Sequence, residues 1–72
     1  MKNTGYRVYG RSIAMKKWLP IGEDIEGDFG LVSNLLCAFL YFSKTDAQKT
    51  LDEMRRKNPG LSWEIRPVKI EN

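Results

Sequence analysis

Seventy-two residues, 42% of them hydrophobic and 29% charged, describe one small globular domain and exclude a disordered chain. Twelve Lys and Arg against nine Asp and Glu leave a net charge of +3, and a pI near 9.2 permits an anionic partner without requiring one. One cysteine and no histidine exclude an internal disulfide and remove the usual ligands of a structural zinc site.

A chain of this size buries only about 60% of its unfolded surface, so a stability of about 3–5 kcal/mol is expected. Met1 to Arg7 carries charge with no apolar stretch behind it, unlike a signal peptide. The longest apolar stretch, 31–42, is broken by Ser33 and Asn34 and falls short of the roughly 20 residues that cross a bilayer. These features predict a cytoplasmic protein that folds without cofactor, metal or membrane.

Along residues 6–13, Tyr6 and Val8 alternate with Arg7, Tyr9 and Arg11, the period of a half-exposed strand. Gly10 marks a bulge or a close backbone approach. Trp18-Leu19-Pro20-Ile21 supplies a second strand that can pair with the first as a hairpin. Because proline cannot donate to a ladder, that strand is expected at an edge or to end at Pro20. Residues 22–30 combine three glycines with four acids and read as an irregular surface loop pinned by Ile25 and Phe29.

From 34 to 42 both alternating sets are apolar, Leu36, Ala38, Leu40 and Phe42 on one side and Leu35, Cys37, Phe39 and Tyr41 on the other. That pattern predicts a central strand. Ser43 with Asp46, or Thr45 with Gln48, resembles a capping box and starts a helix near residue 45. Ala47, Leu51 and Met54 form one apolar stripe, Arg55, Arg56 and Lys57 suit the negative end of the helix dipole, and Asn58-Pro59-Gly60 ends the helix. In the last segment Leu61, Trp63 and Ile65 alternate with Ser62, Glu64 and Arg66. Beyond Pro67 the apolar positions move to Val68 and Ile70, which predicts a bulge in an edge strand.

The expected fold is α+β, a single domain over residues 1–72. It has a four-stranded, mostly antiparallel sheet with one helix on one face, in the order strand, strand, loop, strand, helix, strand. One helix leaves the second sheet face with apolar and aromatic residues partly exposed or shielded by loop 22–30, and a homodimer through that face is a natural expectation.

Two residue sets could bind a partner. Tyr6, Arg7, Tyr9, Arg11, Lys16, Lys17 and Trp18 lie on one hairpin and offer cations for phosphates and rings for stacking, with Trp63, Arg66 and Lys69 as an extension. The same cations would also serve merely to keep an edge strand soluble. Glu23, Asp24, Glu26, Asp28 and Phe29 offer an acidic contact for a basic protein. They do not make a helix-loop-helix calcium site, which counted from Asp24 would need glycine where Phe29 stands and an acid where Leu35 stands.

Cys37 has no histidine to serve as its base and apolar neighbours on both sides, so a core position is expected. Arg55-Arg56-Lys57 reads as a solvated helix end. No pair of carboxylates is brought together for acid–base work, and a domain this small has little room for a cleft, so neither catalysis nor a small-molecule substrate is expected.

Tyr6-Arg-Val-Tyr-Gly-Arg11, Asn34-Leu-Leu-Cys-Ala-Phe-Leu-Tyr-Phe42, the helix, and Asn58-Pro-Gly60 before Trp63 together resemble a group of small proteins of bacterial conjugative or phage-like elements. The resemblance covers most of the chain apart from Ser12–Lys17 and the acidic loop. It implies a bacterial, mobile-element setting and carries no activity. The leading expectation is a non-enzymatic interaction module that binds another protein through the open sheet face, a strand edge or the acidic loop. The alternative is weak, backbone-directed nucleic-acid binding by the basic and aromatic hairpin.

Overall fold

A computed structural model describes residues 3–70. Strand β1 spans Asn3–Arg11, β2 Leu19–Glu23 and β3 Phe29–Leu31; a 3-10 turn at Leu35–Cys37 precedes helix α1, Lys44–Lys57, and β4 closes the chain at Ser62–Ile70. The strands form an antiparallel sheet in the order β3-β2-β1-β4, so the first and last strands are neighbours and the helix comes before the last strand. The expected α+β architecture is therefore the one adopted.

The ladder between β1 and β4 runs without interruption from Asn3 opposite Ile70 to Arg11 opposite Ser62. No bulge occurs at Pro67, and the reason lies in the alternation of an antiparallel ladder. Tyr6, opposite Pro67, gives both its backbone N–H and its carbonyl to Tyr41, at 2.7 and 2.8 Å. The Tyr6–Pro67 pair is thus a non-bonded one, and the donor proline lacks would have pointed out of the free edge of β4. The apolar positions change phase there because the covered face changes. Trp63 and Ile65 face the helix, whereas Leu40 and Ile70 meet over Gly5 on the second face.

The run 34–42 is not a central strand; β1 and β2 hold the central positions. Asn34 accepts the Leu36 N–H on Oδ1 at 2.9 Å and caps the 3-10 turn, which takes residues 35–37 out of extended geometry. Beyond it the chain makes single bridges, Ala38 to Gly22 and Tyr41 to Tyr6, with the Phe39 N–H on the Ile21 carbonyl at 3.0 Å. β1 and β2 pair only at Tyr9–Pro20 and Gly10–Leu19, and residues 38–41 fill the gap where they diverge. Phe39 and Tyr41 turn to the core, while Leu40 turns to the second face. The apolar pattern on both sides had its cause in this wedge, which is buried between two strands without being one.

β2 is an inner strand and continues past Pro20 to Glu23. Pro20 contributes its carbonyl to the Val32 N–H at 2.8 Å but cannot return a bond, and β3 ends one residue before Val32. Residues 22–30 are accordingly a hairpin tip rather than a loop throughout. Ile25 does not pin it, being 95% exposed, and Phe29 is half exposed, tilted against Phe39 with ring centroids 5.4 Å apart.

Helix α1 lays Ala47, Leu51 and Met54 on Val8, Ile21 and Trp63, the six residues that form the buried core. It begins at Lys44, and no capping box forms: Ser43 stands at the N-cap but its hydroxyl makes no bond to the first turn. At the other end the Asn58 N–H bonds the Met54 carbonyl at 2.8 Å, and the Asn58 carbonyl accepts the Trp63 indole N–H at 3.3 Å, tying the helix end to β4. Glu53 and Lys57 pair at 2.8 Å on the exposed side, and this contact holds the Glu53 carboxyl below its usual range. Cys37 is half-buried rather than a core residue, since the 3-10 turn places it at the margin. No helix among the described residues is long and apolar enough to cross a membrane.

Two close approaches require glycine. The Trp63 ring lies over Gly10, where a Cβ would come 2.6 Å from Cζ3, so Gly10 marks a close approach and no bulge. A Cβ on Gly22 would fall on the Cys37 carbonyl oxygen and within 2.8 Å of the Ala38 Cα, both rigid backbone. Gly22→Ala should therefore push the wedge out and lower stability by about 2 kcal/mol or more, while Gly30→Ala, which meets nothing within 4 Å, should cost well under about 1 kcal/mol; urea unfolding followed by circular dichroism compares the two. Leu51→Ala, at a residue 3% exposed, should remove about 2–4 kcal/mol, most of the margin expected for the domain, and appear in the same assay as an unfolding midpoint moved to much lower urea.

Candidate functional site

Strand alternation divides the basic and aromatic residues between the two faces. Tyr6 and Trp63 pack against the core beneath the helix, and they leave the candidate set. Lys69, opposite Thr4, shares the helix-side parity and so stands on the other face from Arg66. The register brings Arg7 directly opposite Arg66, Tyr9 opposite Glu64 and Arg11 opposite Ser62, all on the second face, and Trp18 precedes β2 beside them.

These residues form a layered cluster. The Arg66 guanidinium lies 4.6 Å from the Tyr9 ring centroid and 5.6 Å from that of Trp18, and the Arg11 guanidinium lies 4.9 Å from Trp18. Each such contact contributes about 0.5–1 kcal/mol where solvent reaches it. Arg66 is also fixed in the plane: its Nε and Nη2 both donate to Glu64 Oε1, at 3.0 and 2.7 Å. Glu64 and Arg66 are two residues apart on one strand and so share a face, which is the signal in the sequence from which this pair could have been read.

Arg7 is held differently. Its side chain makes no hydrogen bond or ion pair among the described residues, and its Nε is shut off from solvent with no partner. Among the described residues the face thus carries three arginines against one glutamate. Lys16 and Lys17 sit exposed in the turn that leads into Trp18, a turn closed by the Met15 N–H on the Ser12 carbonyl at 3.1 Å. With guanidiniums over both rings, the surface offers N–H donors outward more than bare aromatic planes.

The acidic hairpin is built for its own geometry. Asp24 Oδ1 accepts the N–H of both Glu26 and Asp28 at 2.9 Å, and Gly27 takes a φ of +87° to complete the turn. Glu23, Asp24, Glu26 and Asp28 are all exposed, and Phe29 is the only apolar side chain of the proposed protein-contact set. No group of three or more potential metal ligands comes together among the described residues. Arg55, Arg56 and Lys57 occupy the exposed last turn of α1, with Lys57 paired to Glu53. Set beside protein-family models, curated proteins and solved structures, the chain matches none of them.

Proposed function

We propose that this domain binds nucleic acid through the second face of its sheet, making contacts to the phosphate backbone rather than to the bases. The observation that carries the reading is the grouping of Arg7, Arg11 and Arg66 on one face with a single acid among them, two of the three stacked on Tyr9 and Trp18. Stacking orients a guanidinium plane; Arg11 makes no hydrogen bond among the described residues, and Arg66, which gives Nε and one Nη2 proton to Glu64, keeps three donors for phosphate oxygens. Because the rings are occupied by guanidiniums, base stacking would have to displace a cation, so little sequence preference is expected. Lys16 and Lys17 extend the positive surface at one end.

A second reading, binding of another protein, is favoured by a different observation. Ile25 is 95% exposed at the acidic hairpin tip, and Leu36 is 93% exposed on the 3-10 turn. Apolar side chains beside Glu23, Asp24, Glu26 and Asp28 would suit a basic protein with an apolar anchor. In either reading the domain acts by binding and not by catalysis, in the cytoplasm, with no small-molecule substrate. The bacterial mobile-element setting implied by the resemblance belongs to the same proposal. A homodimer through the second face has less to support it, since like-charged arginines would meet across the two-fold axis.

Titrating fluorescent random oligonucleotides, single- and double-stranded, across a salt series tests the reading. Binding in the micromolar to tens-of-micromolar range at low salt should weaken with a slope of log K on log salt of about −2 to −3, the value for some three phosphate contacts. Arg11→Glu with Lys17→Glu should abolish it while leaving the circular dichroism spectrum unchanged. Absence of binding at low salt overturns the proposal and leaves the hairpin tip as the surface to test.

A further inference from the structure

Within this proposed face, one position differs from the rest. Arg7 and Arg66 stand directly opposite each other on hydrogen-bonded strands, an arrangement in which side chains lie about 5 Å apart at Cβ and like charges repel. Arg66 is immobilised by Glu64 and the Tyr9 ring and still has three of its five N–H donors unused. Among the described residues Arg7 has no hydrogen-bonding partner, and its Nε is buried and unmet. A buried donor left unpaired is costly, and an Arg7 that turned to meet an anion would regain a bond for it.

We propose that Arg7 and Arg66 form a clamp for one tetrahedral oxyanion, a phosphodiester of the bound strand, with Arg66 as the fixed half and Arg7 as the half that turns to close. The inference rests on the nucleic-acid reading above and adds its central contact. One anion between the two guanidiniums relieves their repulsion and takes up donors on both, and Arg7 can move because only packing holds it. Arg11 and the lysines then supply the flanking, less specific charge. A lysine at position 7 would keep the charge but lose the planar fork, so it should not replace arginine here.

The experiment uses inorganic phosphate on the intact chain and a short single-stranded oligonucleotide on variants. With phosphate titrated against sodium chloride at constant ionic strength, the arginine Nε–Hε resonances of Arg7 and Arg66 should shift together and saturate in the millimolar range, while that of Arg11 moves little. Arg7→Gln and Arg7→Lys should both weaken the oligonucleotide by about tenfold, with Arg7→Gln lowering the salt slope by about 0.7, the share of one phosphate on a single strand; circular dichroism confirms that each variant folds. Oligonucleotide binding with an unaltered slope in Arg7→Gln overturns the clamp and leaves the face standing. A phosphate response without any oligonucleotide binding overturns the phosphodiester assignment and the nucleic-acid reading together. Phosphate shifts spread evenly over all arginines overturn the clamp and reduce the site to general positive charge.

Discussion

The fold depends on two backbone bonds, those that Tyr6 and Tyr41 exchange at 2.7 and 2.8 Å. β1 and β2 touch over only two residue pairs and then separate, which would leave the inner edge of β1 unpaired through its first half. Unpaired backbone groups inside a domain are expensive, so something must lie in the gap. Residues 38–41 do so, held to β2 through Ala38 and Phe39 and to β1 through Tyr41. From that placement follows the rest of the packing. Phe39 and Tyr41 reach the core beside Tyr6, and the chain emerges at Ser43 in position to start the helix that covers Val8 and Ile21.

The same wedge divides the second face of the sheet into two regions. At the end carrying Gly5, Leu40 and Ile70 meet over the glycine and make a small apolar cover. At the other end, Tyr9, Arg11, Trp18, Glu64 and Arg66 stand uncovered by any helix. The core itself is small: among the described residues a cluster of six buried side chains, with Val32 buried outside it and Val8 and Ile21 the largest that are fully enclosed. On the open half of the second face each ring is paired with a cation, while the exposed large apolar side chains, Ile25 and Leu36 among them, lie elsewhere on the domain.

Where the sequence was legible, a local cause acted alone. The stripe Ala47, Leu51 and Met54 has helical spacing and is buried as a unit, and Asn58-Pro59-Gly60 ends the helix because proline and glycine act on the backbone directly. The first strand was legible for the same reason. The failures share another cause, competition from partners far along the chain. Residues 34–42 have the composition of an inner strand, but Asn34 captures the Leu36 N–H and turns the chain before a ladder can form. Pro67 looked like a fault in β4 because the parity of its pairing is set by Tyr6 and Tyr41, sixty-one and twenty-six positions away in the chain. Of the site, the residue types could be named from the sequence, while their division between two faces could not. Lys69 and Arg66 are three apart, and only the continuity of the ladder through Pro67 decides that they oppose each other.

Two accounts of the open face make different demands on its residues. If the cations served only to keep an uncovered sheet soluble, exposed lysines or singly placed arginines would suffice, and each would carry its charge into water at little cost. Arg11 over Trp18, and Lys16 and Lys17 in their turn, fit that account well enough. Arg7 does not. It lies half-buried, opposite another arginine, with Nε enclosed and without a partner among the described residues, an arrangement that solubility alone does not call for. Under the proposed clamp, a ligand that offsets this cost would be negative, small enough to reach both guanidiniums, and rich in acceptor oxygens. Phosphate has those properties, and an arginine pair on adjacent strands is a fitting receptor for it.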